Sequence, residues 1–229
     1  MKTIGLLGGT GWSSTIGYYA LLNKMVNEKL RGYHSAKITL SSIDYHDIMA
    51  NYGVDHEATA AILKAELQKL LALKPDCFMI CCNSLHRYYD IIKADLAPTI
   101  PVFHAVELTA KHLKKESFSK VLLLATKFTM EDGFFAKILE DYGISVVIPD
   151  ESERDQIRDV HANELMINVV SEEGKQVFDG IIKKYADVNA VVSACTEFAM
   201  VIDRLEVHKP VVDPMQLQCV GAVEFATTE

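Results

Sequence analysis

Two stretches of the chain run a strand-forming segment into a cysteine followed at once by polar side chains: Phe78-Met79-Ile80-Cys81-Cys82-Asn83-Ser84 and Val191-Val192-Ser193-Ala194-Cys195-Thr196-Glu197. Cys82 and Cys195 lie 113 positions apart. A second pair repeats at nearly the same interval. The segments 2–10 (KTIGLLGGT) and 119–127 (SKVLLLATK) both read as strands that finish in small or hydroxyl residues and feed a helix, with Leu7 and Leu124 117 positions apart. Two offsets so similar, each about half of the 229 residues, point to a duplicated fold.

Between these landmarks short β-branched runs alternate with longer helical patterns, the hallmark of parallel α/β units. Strands are expected at Thr3 to Leu7, Lys37 to Ile43, Cys77 to Cys82 and Lys120 to Ala125, with a short one at Val102-Phe103. Helical spacing covers Ile16 to Leu30, with Thr15 as N-cap and Gly32 as stop, then Glu57 to Leu73, His86 to Leu96 and a stretch ending at Lys115. The fold class expected is α/β: two similar Rossmann-like parallel-sheet domains related by a pseudo-two-fold, with the active site in the cleft between them. The first domain is expected to take residues 1–100 plus 209–229 and carry Cys82, the second 101–208 and carry Cys195. Ligands of open parallel sheets bind beyond the carboxyl ends of the strands, where both cysteines fall.

Composition narrows the function. Thirty-one acidic against 23 basic residues give a net charge of −8, which opposes nucleic acid and anionic membrane as partners. Apolar runs such as Val121 to Ala125 are far shorter than the roughly 20 residues of a membrane helix. The start, Met1-Lys2-Thr3-Ile4-Gly5, goes directly into a strand-like run without a secretory pattern. Five cysteines, an odd number set mostly in apolar strands, argue for reduced thiols and a cytoplasmic location.

Cys77, Cys81 and Cys219 read as core residues. Cys82 and Cys195 instead end apolar runs where a strand is expected to give way to a helix, a setting that lowers a thiol pKa from about 8.5 toward neutrality and suits proton transfer. Cys77-x3-Cys81-Cys82 lacks the spacing of a zinc site, and no Cys-x-x-Cys exists for redox work, so no metal is expected. The loop Gly8-Gly9-Thr10-Gly11-Trp12-Ser13-Ser14-Thr15 fits a dinucleotide fingerprint poorly, having Ser14 where the third glycine belongs. A carboxylate cradle suits it better, built from N–H groups at the helix start and the Thr10 and Ser13 hydroxyls. His86, four residues after Cys82, and His46 are the histidines placed nearest to this chemistry, and the acidic run from Asp150 to Asp155 reads as a solvated helix start.

Gly8-Gly9-x-Gly11-x-x-x-Thr15, Cys82-Asn83-Ser84-x-His86, Ala125-Thr126-x-x-Thr129 and Ala194-Cys195-Thr196-Glu197 together resemble the four signatures of the cofactor-independent aspartate/glutamate racemase family, in order and over essentially the whole chain. The resemblance implies a two-domain α/β fold, no cofactor such as pyridoxal phosphate, and an amino acid or small dicarboxylate as substrate. It makes Cys82 and Cys195 the catalytic pair, carrying protons on opposite faces of the substrate α-carbon. Thr10, Asn83, Ser84, Thr126, Thr129, Thr196 and Glu197 become the substrate-binding residues. Because relatives with Thr in place of the first cysteine are restricted to one enantiomer, Cys82 implies action on both. Departures are Ala194 for the usual glycine, and Thr10 and Trp12 for the usual Met and Pro. The loop Ile43 to Asp47 has no Arg for a distal carboxylate, which leaves Lys127 or His46 for that task.

Without a cofactor ring to delocalise a carbanion, such a site must supply preorganised donors around the substrate carboxylate. The alternatives on the same frame are a maleate isomerase or malonate decarboxylase-like enzyme, and a ligand-binding module without turnover. A homodimer is the expected assembly.

Overall fold

The computed structural model describes residues 1–228 and divides into two compact units. The first comprises Met1–Ala105 and the segment from Met215 onward; the second is Val106–Pro214. Among the described residues no helix is long and apolar enough to cross a membrane.

In the first unit the order is β1 (Ile4–Gly8), α1 (Trp12–Leu30), β2 (Ile38–Ser42), α2 (His46–Met49), α3 (His56–Ala72), β3 (Cys77–Ile80) and α4 (His86–Leu96). The three strands form a parallel sheet of order β2-β1-β3, in which Ile4 pairs with Ile38 on one side and Cys77 on the other. Val102 adds an isolated parallel bridge to Phe78 where a short strand is expected. Both faces of the sheet are covered. Ile4 and Leu6 pack with Tyr18, Leu22 and Val26 of α1 and with Cys219 and Ala222, while Leu7 packs with Leu63, Leu67 and Leu70 of α3 and Tyr88 and Ile92 of α4. The two-residue period of a strand sends neighbours to opposite faces, and here it separates adjacent cysteines. Cys77, Met79 and Cys81 join the first cluster; Phe78, Ile80 and Cys82 join the second.

The second unit runs α5 (Ala105–Lys115), β4 (Lys120–Leu124), α6 (Lys127–Asp132), α7 (Phe134–Asp141), β5 (Ser145–Val147), α8 (Glu151–Asn163), α9 (Glu172–Lys184), β6 (Ala190–Ser193), α10 (Ala199–Ile202) and β7 (Val211–Val212). Its sheet is parallel throughout, in the order β5-β4-β6-β7. The chain then returns to the first unit as α11 (Pro214–Thr227). There the phenol of Tyr18 donates to Gln218 Oε1 at 2.6 Å, and the Gln218 amide donates to the Phe103 carbonyl at 2.7 Å. In each sheet the first strand of the unit is central, the second lies on one side and the third on the other. The repeat read in the sequence is thus a repeat of topology, and each cysteine motif follows the third strand.

Local chemistry sets the helix ends. Asp55 accepts from the Ala58 amide at the start of α3. Asp150 and Glu153 form a reciprocal capping box at the start of α8, so the acidic run is the helix start expected of it. The first helix departs from expectation: α1 begins at Trp12, with Gly11 and not Thr15 as its N-cap. The reason is backbone geometry. Gly9 and Gly11 hold φ of 90° and 119°, and a Cβ on Gly9 would lie 2.2 Å from the Ile43 carbonyl oxygen, so the glycines turn the chain early against the end of β2. The Thr15 hydroxyl, freed from capping, accepts from the Gly9 amide at 2.9 Å.

Candidate active site

In the first unit, the polar residues beyond β1 and β3 come together as the sequence expects of strand ends. The Thr10 hydroxyl is buried and donates to the Cys81 carbonyl at 3.3 Å, tying the glycine loop to the end of β3. A hydroxyl has a single hydrogen, so in this arrangement Thr10 spends it on the backbone. Cys82 is half-buried, with Sγ 3.3 Å from the Ser84 hydroxyl, while Asn83 and Ser84 are buried. The turn Asn83-Ser84-Leu85 separates Cys82 from α4, whose N-cap is Leu85. The thiol therefore does not itself cap that helix, and its immediate partners are side chains.

Those partners include two phenols that the sequence reading missed. Tyr45 is hydrogen-bonded to both Cys82 and Ser84, and Tyr52 lies alongside the same two residues. Burial, followed by the neighbouring Cys82 charge, pushes both phenols far above the ordinary tyrosine range. Both are therefore neutral at neutral pH. Tyr45 precedes His46, which is exposed at the start of α2. His86 is also no partner of catalysis by position: it is fully buried, its Nε2 accepts from the Ala105 amide at 3.4 Å, and its ring lies 4.2 Å from that of His104. Trp12 is 67 % exposed, so it is not packed in the core of its unit.

The remaining cysteines are structural. Cys77, Cys81 and Cys219 are buried, and burial raises the first thiol to about 12 and the second well above its ordinary value.

In the second unit, Thr126 caps α6 by accepting from the Thr129 amide, and the two hydroxyls are 3.0 Å apart. Cys195 lies just beyond β6 as the N-cap of a 3-10 turn, Thr196–Phe198. Its thiol donates to Glu197 Oε2 at 3.1 Å, and the Thr196 hydroxyl donates to the same oxygen at 2.9 Å. Thus each strand-end cysteine engages the side chain two residues further on. A third group joins this cluster: donor atoms of His161, Cys195 and Glu197 all lie within 4.8 Å of one another. His161 comes from the last turn of α8, its ring edge against Phe198 with centroids 5.9 Å apart. Burial lowers its pKa, against the opposing pull of the Glu197 charge, so the imidazole is neutral at neutral pH. Nothing in the local sequence marks His161, because 34 positions separate it from Cys195.

The cations proposed for a distal carboxylate fare differently from expectation. Lys127 Nζ is 2.6 Å from Asp155 and 3.8 Å from Glu131, so its charge is already answered within its own unit.

Comparison with known proteins agrees with this architecture. The family model described as Asp/Glu/Hydantoin racemase matches residues 7–222. The broad specificity amino-acid racemase RacX of Bacillus subtilis (strain 168) is 24 % identical over 226 residues, covering 92 % of each chain. Among solved structures, a Yersinia pestis protein provisionally designated an Asp/Glu racemase superposes with a TM-score of 0.90 at 31 % identity, over 100 % of both chains. An aspartate racemase homologue from Pyrococcus horikoshii OT3 superposes with a TM-score of 0.86 at 26 % identity, again over 100 % of both.

Proposed function

Given that the chain belongs to the Asp/Glu/Hydantoin racemase family, we propose that it is a pyridoxal phosphate-independent amino-acid racemase, acting on aspartate or glutamate, in which Cys82 and Cys195 transfer protons at Cα. One sulfur removes the α-proton as a base, and the other returns a proton to the opposite face. The observation that carries this reading is the paired placement of the thiols: each follows the third strand of its sheet and is hydrogen-bonded two residues on, Cys82 to Ser84 and Cys195 to Glu197.

The resting hydrogen bond to Glu197 makes Cys195 the sulfur that starts with a proton to give. Asn83, Ser84, Thr126, Thr129 and Thr196 supply neutral donors and acceptors for the substrate carboxylate and ammonium, and Thr10 supplies its loop. Donors aimed at the carboxylate oxygens stabilise the negative charge that develops there as the α-proton leaves, an effect worth several kcal/mol in sites of this kind, about 3 kcal/mol per donor. Fixed placement of sulfur near Cα contributes further by removing the diffusional encounter. The acting species is taken to be a cytoplasmic homodimer.

The test is to incubate purified protein with single enantiomers of aspartate, glutamate and neutral amino acids in D₂O, without added cofactor, and to follow products by chiral chromatography. The reading expects interconversion with deuterium at Cα, abolished in Cys82→Ser and in Cys195→Ser. Racemisation with Cα still protiated, or full activity in either variant, contradicts it. RacX, named for broad specificity, keeps neutral substrates in the panel.

A further inference from the structure

We propose that His161, Cys195 and Glu197 form a binding site for a zinc-type divalent cation, and that its occupancy withdraws Cys195 from proton transfer. The site itself stands on geometry; only its inhibitory consequence rests on the racemase reading above.

The three donors come from the end of α8, the N-cap of the turn beyond β6 and that turn itself, yet their ligand atoms all lie within 4.8 Å of one another. Sulfur and carboxylate are already 3.1 Å apart. With metal–sulfur and metal–nitrogen bonds of about 2.3 and 2.0 Å, a tetrahedral zinc site holds its donors roughly 3.3–3.7 Å from one another. The gap left to close is at most about 1.5 Å, within reach of rotation about the Glu197 and His161 side chains. A set of one nitrogen, one sulfur and one oxygen suits a borderline cation such as zinc and disfavours the hard, oxygen-seeking magnesium and calcium.

The surroundings match what such a site needs. The Thr196 hydroxyl holds Glu197 Oε2 from the second layer, and Phe198 braces the His161 ring. Cys195 is buried while His161 and Glu197 are half-buried, leaving an approach from their side. Three protein donors leave a fourth position for water or for a substrate carboxylate. On binding, the thiol proton leaves to solvent and the sulfur lone pair goes to the cation, with no change of oxidation state. The first-unit thiol is different: the side chains about Cys82 are Ser84 and the phenols of Tyr45 and Tyr52. The cation therefore distinguishes the two cysteines.

The test is titration of the reduced, chelator-treated full chain with Co²⁺ alone, followed by displacement with Zn²⁺. The proposal expects saturation at one Co²⁺ per chain, with intense visible bands of a tetrahedral site and a near-ultraviolet thiolate charge-transfer band. Cys195→Ser should lose the charge-transfer band, and His161→Ala, His161→Asn and Glu197→Gln should bind more than about tenfold more weakly, the least that loss of a supporting group costs a metal site. Cys82→Ser should bind as the parent does. Absence of saturable binding, a thiolate band that survives Cys195→Ser or vanishes in Cys82→Ser, or undiminished affinity in both correctly folded His161 variants overturns the proposal. Because the readout is spectroscopic, it holds whether or not the protein racemises the substrates tested.

Discussion

The thiol of Cys195 and the carboxylate of Glu197, two residues apart, share a 3.1 Å hydrogen bond in which the sulfur donates. The carboxylate oxygen that receives it also receives the Thr196 hydroxyl at 2.9 Å. One acidic oxygen thereby orients the sulfur and stiffens the turn after β6. Glu197→Gln keeps the volume but replaces a charged acceptor by a neutral one, and charge-assisted hydrogen bonds are roughly twice as strong as neutral ones. The expected outcome is a fall in kcat of about 10- to 100-fold, or about 1.4–2.7 kcal/mol on the barrier, in both directions of racemisation. An unchanged kcat would remove Glu197 from the proton-transfer machinery.

Tyr45 stands in the matching position toward the other sulfur, as a neutral phenol bonded to Cys82 and Ser84. Tyr45→Phe deletes one hydrogen bond worth about 1 kcal/mol. In a Cys195→Ser background, where the other three cysteines are buried, alkylation by iodoacetamide at neutral pH reports on Cys82. It should slow by about fivefold, the rate equivalent of that energy. Faster alkylation would show that the phenol shields the sulfur instead of organising it.

Gly9 is required by two independent constraints, a φ of 90° and a Cβ that would sit 2.2 Å from the Ile43 carbonyl oxygen. Gly9→Ala is expected to lower the unfolding free energy by at least about 2 kcal/mol, since strain of this kind costs about 1–3 kcal/mol before any clash is added. Urea denaturation checks it, and a loss below 0.5 kcal/mol, about the scatter of ordinary surface changes, would mean the loop rearranges freely.

Leu122 sits on the central strand of the second sheet, fully buried between Val147 and Val191. Leu122→Ala should cost about 2–5 kcal/mol through lost transfer energy and the cavity left behind. The midpoint of chemical denaturation should move accordingly while the resting circular dichroism spectrum stays unchanged.

The buried His86 makes folding sensitive to mild acid. Burial holds its pKa well below the ordinary 6.5, so below pH 6.5 the unfolded chain takes up a proton that the folded chain refuses. Its contribution to stability is complete above that pH and is lost as pH falls toward the folded pKa, at up to about 1.4 kcal/mol per pH unit. His161 acts in the same direction, burial again being the leading cause. Unfolding curves at pH 7, 6 and 5 should show the slope, on the order of 1.4 kcal/mol per unit, and His86→Gln should flatten it. A slope identical in parent and variant would show that His86 does not titrate on unfolding.

Much of this was legible in the residues because it depends on local rules. Alternation along β3 decides that Cys81 enters the core while Cys82 takes the other face. The recurrence of strand, small residues and cysteine gives the paired sheets their common order, and the Asp150 run caps a helix as its acidic residues require. The start of α1 differs from the sequence expectation for a reason of the same scale: Thr15 looks like a cap by residue type, whereas the positive φ of Gly11 moves the helix start ahead of it.

What the residues by themselves determined is the α/β class, the duplicated plan and the two cysteines at the strand ends, because hydrophobic period and motif spacing are properties of neighbours along the chain. Only the tertiary structure decided which side chains meet those sulfurs: Tyr45 and Tyr52 at Cys82, and His161 at Cys195. It also decided that His86 is a core residue and that Lys127 is paired with Asp155. Such meetings depend on where crossovers of tens of residues return the chain, and no local pattern encodes a distance set by the packing of helices against a sheet.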